Sequence, residues 1–497
     1  MRACGYRSQM APNLQRYLPS VDRLSERIRV GHPAWPDALL TVIARDVVAS
    51  VRADIAAGLF DDKRGSPSEE AGDAGQKAVE DAITERLNAS GRQLVAPQLQ
   101  SVLNGTGVLI HTNAGRSPLS TSAIAAITDT AQGYCNLEFN LSDGKRGSRQ
   151  NHLRDLLRWT TGAADALVVN NNAAAVMLAL HAFAQGRPVL VSRGELVEIG
   201  GSFRVPDVMT AAGARLVEVG TTNRTWVKDY EVAARELTKR GDPPAALMQV
   251  HRSNFRQEGF VATPTVAELA ALAQAIGVPL IVDLGSGALG DPAAMGLAAE
   301  PTVADTLAAG ADIATFSGDK LVGGPQAGIL VGSRRWIGAL KGSAMARAVR
   351  VCSLTVAALQ QTLRSHLLDQ ARLEVPLFRA ARMPLDDVQK AADSLAAHLA
   401  KAPNIRAKSE PCTARVGGGS QPQEDLPSVA VTLRSDQWTA AQLARRLRNA
   451  EPPVLARTQG DRVWLDLRSL LCAADPDAAL QVAKQAVAAA LVADDVR

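Results

Sequence analysis

Between two apolar runs of the chain lies the stretch Ser317-Gly318-Asp319-Lys320-Leu321-Val322-Gly323-Gly324-Pro325-Gln326-Ala327-Gly328. The runs, residues 311–316 and 329–331, predict two buried strands, because each is short, apolar and bounded by turn residues. A lone lysine is most often a solvated surface charge, but that explanation suits a glycine-rich turn between core strands poorly. An aldehyde cofactor, which forms a Schiff base with an amine, explains it better. Lys320 is therefore a candidate cofactor-binding nucleophile.

Strand-like and helix-like segments alternate on the N-terminal side of this stretch, from about residue 75 onward. The strand candidates are the apolar runs 166–169, 188–191, 215–219, 246–250 and 279–282. Helical patterns such as 173–185 and 264–277 lie between them. This alternation predicts an α/β fold with a mostly parallel sheet and helices on both of its faces. Ligands bind such sheets at the carboxyl ends of the strands, where the polar motifs of this chain lie.

The sequence divides into three predicted domains. Residues 1–70 form a small helical N-terminal domain that ends in a charged linker, and residues 71–340 form the large α/β domain. Residues 341–497 form a small α+β C-terminal domain, in which strand candidates at 429–433 and 463–467 flank a helix.

Charge and composition limit the function classes. The net charge of +4, from 54 basic and 50 acidic residues, neither demands nor excludes a nucleic-acid partner. The first thirty residues carry six arginines, namely Arg2, Arg7, Arg16, Arg23, Arg27 and Arg29. They form either the solvated face of a helix or an appendage that contacts phosphates, and the sequence leaves both interpretations open.

Cysteine usage and hydropathy indicate the compartment. The five cysteines are widely spaced and form no Cys-x-x-Cys motif, so neither a disulfide framework nor a metal site is predicted. No apolar run approaches the roughly 20 residues of a membrane span. The N-terminus has arginines but no apolar signal region. These features predict a cytoplasmic protein with no membrane segment.

Asp283 follows the strand candidate 279–282 and precedes Leu284-Gly285-Ser286-Gly287. A carboxylate at a buried strand end needs a cationic partner, because an unpaired buried charge is costly. A protonated pyridine nitrogen would supply that partner, and the carboxylate would keep it protonated so that the ring withdraws electrons. The alternative is that Asp283 only caps the turn.

A third motif, Asn170-Asn171-Asn172-Ala173-Ala174-Ala175, follows a strand candidate and opens an Ala-rich helix. Free N–H groups at a helix start bind phosphate, and small residues let the phosphate approach, although Asn is also an ordinary N-cap. We assign Asn171, Asn172 and Ala173 to a phosphate site, with the Ser317 hydroxyl and Asp319 beside it. Together with Lys320 and Asp283, these residues indicate pyridoxal 5′-phosphate in an aminotransferase-like fold.

Several longer motifs resemble those of the bacterial selenocysteine synthases, the L-seryl-tRNA(Sec) selenium transferases. They are the segments 108–116, 136–139, 144–149, 170–172, 193–204, 220–224 and 283–287. The resemblance extends from about Leu18 to the C-terminus, and the first dozen residues have no clear counterpart in the family.

The resemblance implies a pyridoxal-phosphate enzyme of fold type I. The implied reaction converts L-seryl-tRNA(Sec) to selenocysteinyl-tRNA(Sec): elimination of water from the serine gives an aminoacrylyl intermediate, to which selenium from selenophosphate adds. The implied partners are L-seryl-tRNA(Sec), bound partly by the N-terminal domain, and selenophosphate. The implied assembly is a homodecamer built as a ring of dimers.

The resemblance also assigns roles to five residues. Lys320 is the Schiff-base lysine, Arg116, Arg347 and Arg350 surround the selenium donor, and Arg149 is a further active-site arginine. Arg347 and Arg350, three residues apart, are expected to share one helical face and clamp a phosphate-like dianion. Without the family, surface charge would be the simpler interpretation of this pair.

The chain departs from the family at Cys352-Ser353, where an Asp-Lys pair is usual. The change adjoins the predicted arginine clamp, so we expect it to affect packing or donor affinity and to leave Lys320 and Asp283 unaffected. His251 is a candidate for stacking on the cofactor ring, and a core histidine is the alternative.

Two other functions fit part of the pattern. A pyridoxal-phosphate lyase or transaminase acting on a free small amino acid would share Lys320, Asp283 and the Asn motif. Such proteins tend to lose the N-terminal domain, whereas this chain keeps a Leu18–Leu24 segment that resembles its tRNA-binding start. A tRNA-binding scaffold with an inactive site is the second alternative, but it gives no chemical reason for a buried lysine beside a carboxylate.

Overall fold

The computed structural model of the chain describes residues 14–59, 69–95, 98–198 and 204–492. Its internal contacts divide the chain into two compact units, Met1–Gln100 and Ser101–Arg497. Among the described residues, no helix is long and apolar enough to cross a membrane. The arginines Arg2 and Arg7 and most of the predicted linker lie outside the described residues.

The first unit is helical. Its helices are α1 (Val21–Gly31), α2 (Asp37–Ala56) and α3 (Glu69–Val95). Their buried core includes Leu24, Leu40 and Ile83, and α3 packs on α2. Because α3 belongs to this unit, the division of the chain falls at residue 100 instead of the predicted residue 70. The further predicted boundary between 340 and 341 stays a prediction.

The second unit is mixed. Its strands within the described residues are β1 (Leu103–Gly105), β2 (Asp165–Val169), β3 (Pro188–Ser192), β4 (Arg215–Val219), β5 (Ala246–Val250), β6 (Leu280–Gly285), β7 (Ile313–Ser317), β8 (Gly328–Gly332), β9 (Ile405–Gly417), β10 (Ser420–Ser435), β11 (Val454–Gln459) and β12 (Arg462–Asp466). Its helices there are α4 (Thr121–Ala131), α5 (Asn151–Thr161), α6 (Asn172–Ala184), α7 (Val205–Ala211), α8 (Val227–Lys239), α9 (Val266–Ile276), α10 (Val303–Ala308), α11 (Arg334–Gly342), α12 (Ala344–Ala348), α13 (Ser353–Leu367), α14 (Ala371–Glu374), α15 (Pro376–Arg382), α16 (Leu385–Leu399), α17 (Ala440–Arg448), α18 (Leu467–Leu470) and α19 (Pro476–Val492).

The larger sheet has the strand order β2-β8-β7-β6-β5-β3-β4 among the described residues. The pairs β4–β3, β3–β5, β5–β6 and β6–β7 are parallel, whereas β8 runs antiparallel to both β7 and β2. Every residue of β3, β5, β6, β7 and β8 is buried, because helices cover both faces. One core cluster lies on each face, centred on residues such as Phe316 and Leu280 on one side and Ile281 and Leu330 on the other. The predicted α/β fold with a mostly parallel sheet is confirmed.

The smaller sheet has the strand order β1-β11-β12-β10-β9. The predicted strands at 429–433 and 463–467 lie within β10 and β12, and α17 lies between them in the chain. Strand β9 was not predicted, because its charged and polar residues alternate with few apolar ones. It pairs with β10 as a long antiparallel hairpin whose turn is Gly418-Gly419. This turn brings the smaller sheet to the lysine of the larger one.

A buried carboxylate joins two strand ends of the larger sheet. Glu195 lies just after β3 and is only 2% exposed. Its Oε2 accepts the backbone N–H of Val250, the last residue of β5, at 2.9 Å. Burial raises the pKa of Glu195 to about 7.

We predict that Glu195→Gln stabilises the protein at neutral and higher pH. The unfolded chain releases this proton near the ordinary pKa of 4.5, whereas the folded chain keeps it until about pH 7. The unaltered protein therefore loses stability as the pH rises through this window, by about 3 kcal/mol in full. The amide has no such titration, and its oxygen can still accept the Val250 N–H.

The measurement is the free energy of unfolding in denaturant, followed from pH 4.5 to above pH 7. The free energy of unfolding of the variant, relative to the unaltered protein, should rise across this range. The control Glu231→Gln, at an exposed position of α8, should show no such rise. An equal pH dependence of the Glu195 variant and the unaltered protein would contradict the prediction.

Candidate active site

The predicted cofactor residues come together at the carboxyl edge of the larger sheet. Asn171 and Asn172 follow β2, Asp283 lies near the end of β6, and Ser317 ends β7. Lys320 lies in the turn that links β7 to β8, and is 7% exposed. Parallel strands bring their carboxyl ends to one edge of a sheet, and a hydrogen bond joins the side chains of Asn172 and Asp283 there.

Asp283 is held by donors on one of its two carboxylate oxygens. Its Oδ1 accepts from Asn172 Nδ2 at 2.8 Å, from Thr315 Oγ1 at 3.0 Å and from the Gly285 backbone N–H at 3.1 Å. The Oδ2 atom has no donor among the described residues. Burial raises the pKa of Asp283, and the hydrogen bonds from Asn172 and Thr315 act in the opposite direction. A cationic N–H group placed at Oδ2 would relieve this buried charge.

Lys320 reaches the smaller sheet through its amine. Its Nζ donates to the carbonyl oxygen of Gly419, in the β9–β10 turn, at 3.1 Å. A Cβ added to Gly419 would lie 3.3 Å from this Nζ, so a larger residue would crowd the amine. Burial lowers the pKa of Lys320, while the carboxylate of Asp283 acts in the opposite direction. Desolvation thus favours the neutral amine, which is the nucleophilic form.

The start of α6 is the predicted phosphate cradle. Asn171 is the N-cap, and its side chain accepts the N–H of Ala174 at 2.9 Å. The first N–H groups of a helix have no acceptor within it, so those of Asn172 and Ala173 face outward with the positive end of the helix dipole. A Cβ on Gly328 would lie 2.0 Å from the Asn171 carbonyl oxygen, so β8 approaches this loop as only glycine allows.

Arg116 lies beside Lys320 and is paired. Its Nη1 donates to Asp319 Oδ2 at 2.8 Å, and the carboxylate is 7% exposed. The other oxygen, Asp319 Oδ1, is buried and has no hydrogen-bond partner among the described residues. The sequence placed Asp319 in the cofactor site and Arg116 at the selenium donor, whereas the structure shows the two as one ion pair next to the lysine.

The other three predicted arginines line a different cavity, of about 270 Å³. Arg149, Arg347 and Arg350 are in its wall, and Lys320, Asp283 and Arg116 are not. Glu138 lies among them: its Oε1 accepts from Arg149 Nη2 at 2.7 Å and from Arg350 Nη1 at 3.2 Å. The hydrogen bond from Arg149 lowers the pKa of Glu138. Arg116 is thus outside the wall that the other three arginines share.

The expected shared helical face of Arg347 and Arg350 is wrong. Helix α12 ends at Ala348, so Arg347 is in its last turn and Arg350 lies beyond it. Arg350 is held instead by a bridge to Val169, at the end of β2. The two guanidinium groups still reach the same cavity, and Arg347 has no carboxylate partner among the described residues.

A second cavity, of about 300 Å³, lies beside the start of β10 in the smaller sheet. It is lined by His251, Arg252, Ser253, Phe255, Arg256, Gln257, Ala298, Ala299, Glu300, Gln421 and Glu424. His251 lies there with its Nε2 atom 3.4 Å from Glu300 Oε1. Its predicted stacking on a cofactor ring stays a prediction.

Sequence analysis missed four residues of the site: Glu138, Glu300, Gly419 and Gln421. Glu138 belongs to the family motif 136–139, but nothing in the sequence marks it as the partner of Arg149 and Arg350. Gly419 lies in the Gly417–Gly419 run, and this glycine run was the signal that a chain turn approaches another group closely. Glu300 is in an irregular segment and Gln421 is at the start of β10, and no sequence signal marks either residue. Part of one motif, residues 199–203, lies outside the described residues.

Comparison with known proteins connects this site to one family. A family model described as L-seryl-tRNA selenium transferase matches residues 102–471. The L-seryl-tRNA(Sec) selenium transferase of Moorella thermoacetica is 45% identical over 468 residues, which cover 92% of this chain and 94% of that protein. The protein of the same name from Solidesulfovibrio magneticus is 46% identical over 465 residues, covering 92% of this chain and 95% of that one.

Among solved structures, a D-glucosaminate-6-phosphate ammonia-lyase matches with a TM-score of 0.54. The match covers 81% of this chain and 99% of that chain at 21% sequence identity. At this identity the likeness concerns the fold alone.

We predict that Arg116→Ala destabilises the protein by about 3 kcal/mol, because removing one partner leaves a buried carboxylate unpaired. Asp319→Asn in the same chain should restore much of the loss, since the amide carries no charge. The measurement is the unfolding free energy of both single variants and the double variant. The control is Arg415→Ala, which breaks a pair with Asp425 whose side chains are both 60% exposed. It should cost at most about 1 kcal/mol. Equal losses in the Arg116 and Arg415 variants would contradict the buried-pair account.

Proposed function

The chain belongs to the L-seryl-tRNA selenium transferase family, and from that premise we propose that it converts L-seryl-tRNA(Sec) to selenocysteinyl-tRNA(Sec). Pyridoxal 5′-phosphate is the cofactor. The observation that carries the proposal is the buried Lys320 amine, close to Asp283 and to the phosphate cradle at the start of α6. The alternative function, a lyase or transaminase for free amino acids, is disfavoured because the full-length relatives are named for the tRNA reaction.

The residues at the sheet edge fit this cofactor. Asp283 Oδ2, which has no donor among the described residues, would accept the pyridine N–H. Asn172 and Thr315 would keep the carboxylate oriented through Oδ1. The N–H groups of Asn172 and Ala173, with the Ser317 hydroxyl, would hold the phosphate. When bound, pyridoxal phosphate supplies an aldehyde for the amine and a ring that withdraws electrons from the serine α-carbon.

Lys320 acts as nucleophile and then as base. Its desolvation favours the neutral amine, which can bond to the cofactor and, once released by the substrate, take the α-proton. The carbonyl of Gly419 accepts a hydrogen bond from Nζ and so fixes the direction of the amine. Arg116, paired with Asp319, contributes a cation near this position.

The selenium donor is selenophosphate in this proposal. Its negative charge needs cationic donors, and Arg347 offers a guanidinium in the same cavity as Arg149 and Arg350. Glu138 holds Arg149 and Arg350 in place. For the assembly we propose a homo-oligomer, the ring of five dimers that the resemblance implies.

The N-terminal unit is the proposed tRNA-binding domain. Its described arginines include Arg16, Arg23 and Arg27, all exposed on their helical segments. Arg29 differs, because it pairs with Asp37 at 2.6 Å and with Glu26 at 3.1 Å. We place the reaction in the cytoplasm, in keeping with the absence of a membrane-spanning helix among the described residues.

Turnover of two substrates tests the function. We expect the purified protein with pyridoxal phosphate to form selenocysteinyl-tRNA(Sec) from L-seryl-tRNA(Sec) and selenophosphate, and not to consume free serine. Lys320→Ala should lose both this activity and the visible absorbance of the bound cofactor after dialysis, because it lacks the amine. Lys390→Ala, at an exposed position of α16, is the control and should retain both. Turnover of free serine without turnover of the charged tRNA would contradict the proposal.

The selenium-donor site has its own test. Arg347→Ala should raise the KM for selenophosphate by roughly tenfold or more, since hydrogen bonds between charged groups are among the stronger ones. The cofactor absorbance and the KM for seryl-tRNA(Sec) should stay unchanged. Arg334→Ala, an exposed arginine at the start of α11, is the matched control. An unchanged KM for selenophosphate in the Arg347 variant would place the donor elsewhere.

A further inference from the structure

Apart from the predicted stacking of His251 on the cofactor ring, the cavity of about 300 Å³ between the two sheets has no role in the chemistry described so far. Three chain segments form its wall: the segment 251–257 after β5, the loop 298–300, and the start of β10 at Gln421 and Glu424. The cavity is at the lower end of the size range of small-molecule sites.

This cavity borders the reactive amine. Gln421 follows Gly419 by two residues, and the Gly419 carbonyl accepts the Lys320 Nζ hydrogen bond at 3.1 Å. On the other side, a Cβ placed on Gly285 would lie 3.2 Å from Ser253 Oγ and 3.9 Å from Lys320 Nζ. The Lys320 amine and Ser253 of the cavity wall thus both lie close to Gly285.

Hydrogen bonds hold the cavity wall in place, and the backbone of one wall residue is strained. Gln421 has a backbone φ of 49°, a value that residues other than glycine rarely adopt. Its side chain bonds the backbone of Ala298 twice, at 3.2 and 2.7 Å, and Glu300 at 3.1 Å. Such strain persists only where the surroundings over-determine it, and it concentrates at ligand sites. Ser253, only 5% exposed, has a buried hydroxyl without a hydrogen-bond partner among the described residues.

A covalent constraint identifies the occupant. In seryl-tRNA the serine carbonyl is esterified to the ribose of the terminal adenosine. Only the carbonyl carbon and the ester oxygen separate the α-carbon from that ribose. If the α-carbon lies at Lys320, the terminal nucleoside must occupy space that borders the amine.

The charge of the wall fits a nucleoside better than an anion. Glu300 would repel the selenium donor and the carboxylate of a free amino acid. Arg256 is neutralised by Glu424 at 3.2 Å, and Arg252 bonds Thr263 at 2.8 Å. Phe255, 37% exposed, offers an aromatic face on which a base can stack.

We propose that this cavity binds the terminal adenosine of the aminoacylated tRNA, with the base on Phe255 and the ribose beside Ser253 and Gln421. The proposal rests on the proposed function. It gives the enzyme a way to select an esterified serine over free serine, because only the ester carries the nucleoside.

The test uses the full-length protein loaded with pyridoxal phosphate and a stable amide analogue, 3′-deoxy-3′-(L-serylamino)adenosine. Its dissociation constant is measured by calorimetry beside that of L-serinamide, which lacks the nucleoside. Phe255→Ala should weaken binding of the analogue by roughly tenfold. It should leave L-serinamide binding unchanged and raise the KM for seryl-tRNA(Sec) without changing kcat. Phe255→Tyr, which keeps a ring, should behave like the unaltered protein.

The matched control is Phe260→Ala, three residues beyond the segment 251–257, 81% exposed and outside the cavity wall. Equal binding of the analogue by the Phe255 and Phe260 alanine variants would overturn the proposal, as would an equal loss for the analogue and L-serinamide in Phe255→Ala. Both results leave the proposed function standing if the unaltered protein still converts seryl-tRNA(Sec). Failure of that conversion in the unaltered protein would instead contradict the function itself.

Discussion

The structure depends on keeping an amine and a carboxylate buried at one edge of a sheet. Lys320 and Asp283 are 7% and 3% exposed, and burial acts against the charged form of each. Apolar residues of similar volume would be easier to bury. The arrangement makes sense only if a ligand completes it, by accepting the nucleophilic amine and by offering a proton to the free oxygen of the carboxylate.

The fold supplies this edge in two parts. The parallel strands β5, β6 and β7 end at the same edge of the larger sheet, where Asp283 and Ser317 lie. Helix α6 begins at this edge too, with Asn172 bonded to Asp283. The smaller sheet then reaches over with the β9–β10 turn, and Gly419 contacts the amine from the other side. The lysine therefore lies where the two sheets meet, and the cavity at Gln421 exists because of this approach.

Much of the larger sheet could be predicted from sequence, because buried parallel strands are continuous apolar runs bounded by polar turns. Asp283, the Asn motif and Lys320 could be found for the same reason, since each follows such a run. The hairpin of β9 and β10 could not, because β9 and the first part of β10 are rich in polar and charged residues, and only the apolar run 429–433 of β10 could be predicted. The Arg116–Asp319 pair and the role of Glu138 were also out of reach, because they join residues about 200 positions apart. The helical spacing of Arg347 and Arg350 was misleading, since α12 ends between them.

The central claim is that Lys320 is the amine that binds the cofactor. Borohydride reduction of the protein loaded with pyridoxal phosphate, followed by mass spectrometry of its peptides, tests this most directly. The account predicts that the added mass of the reduced cofactor is found on the peptide that contains Lys320. Finding that mass on another lysine, or on none, would contradict it.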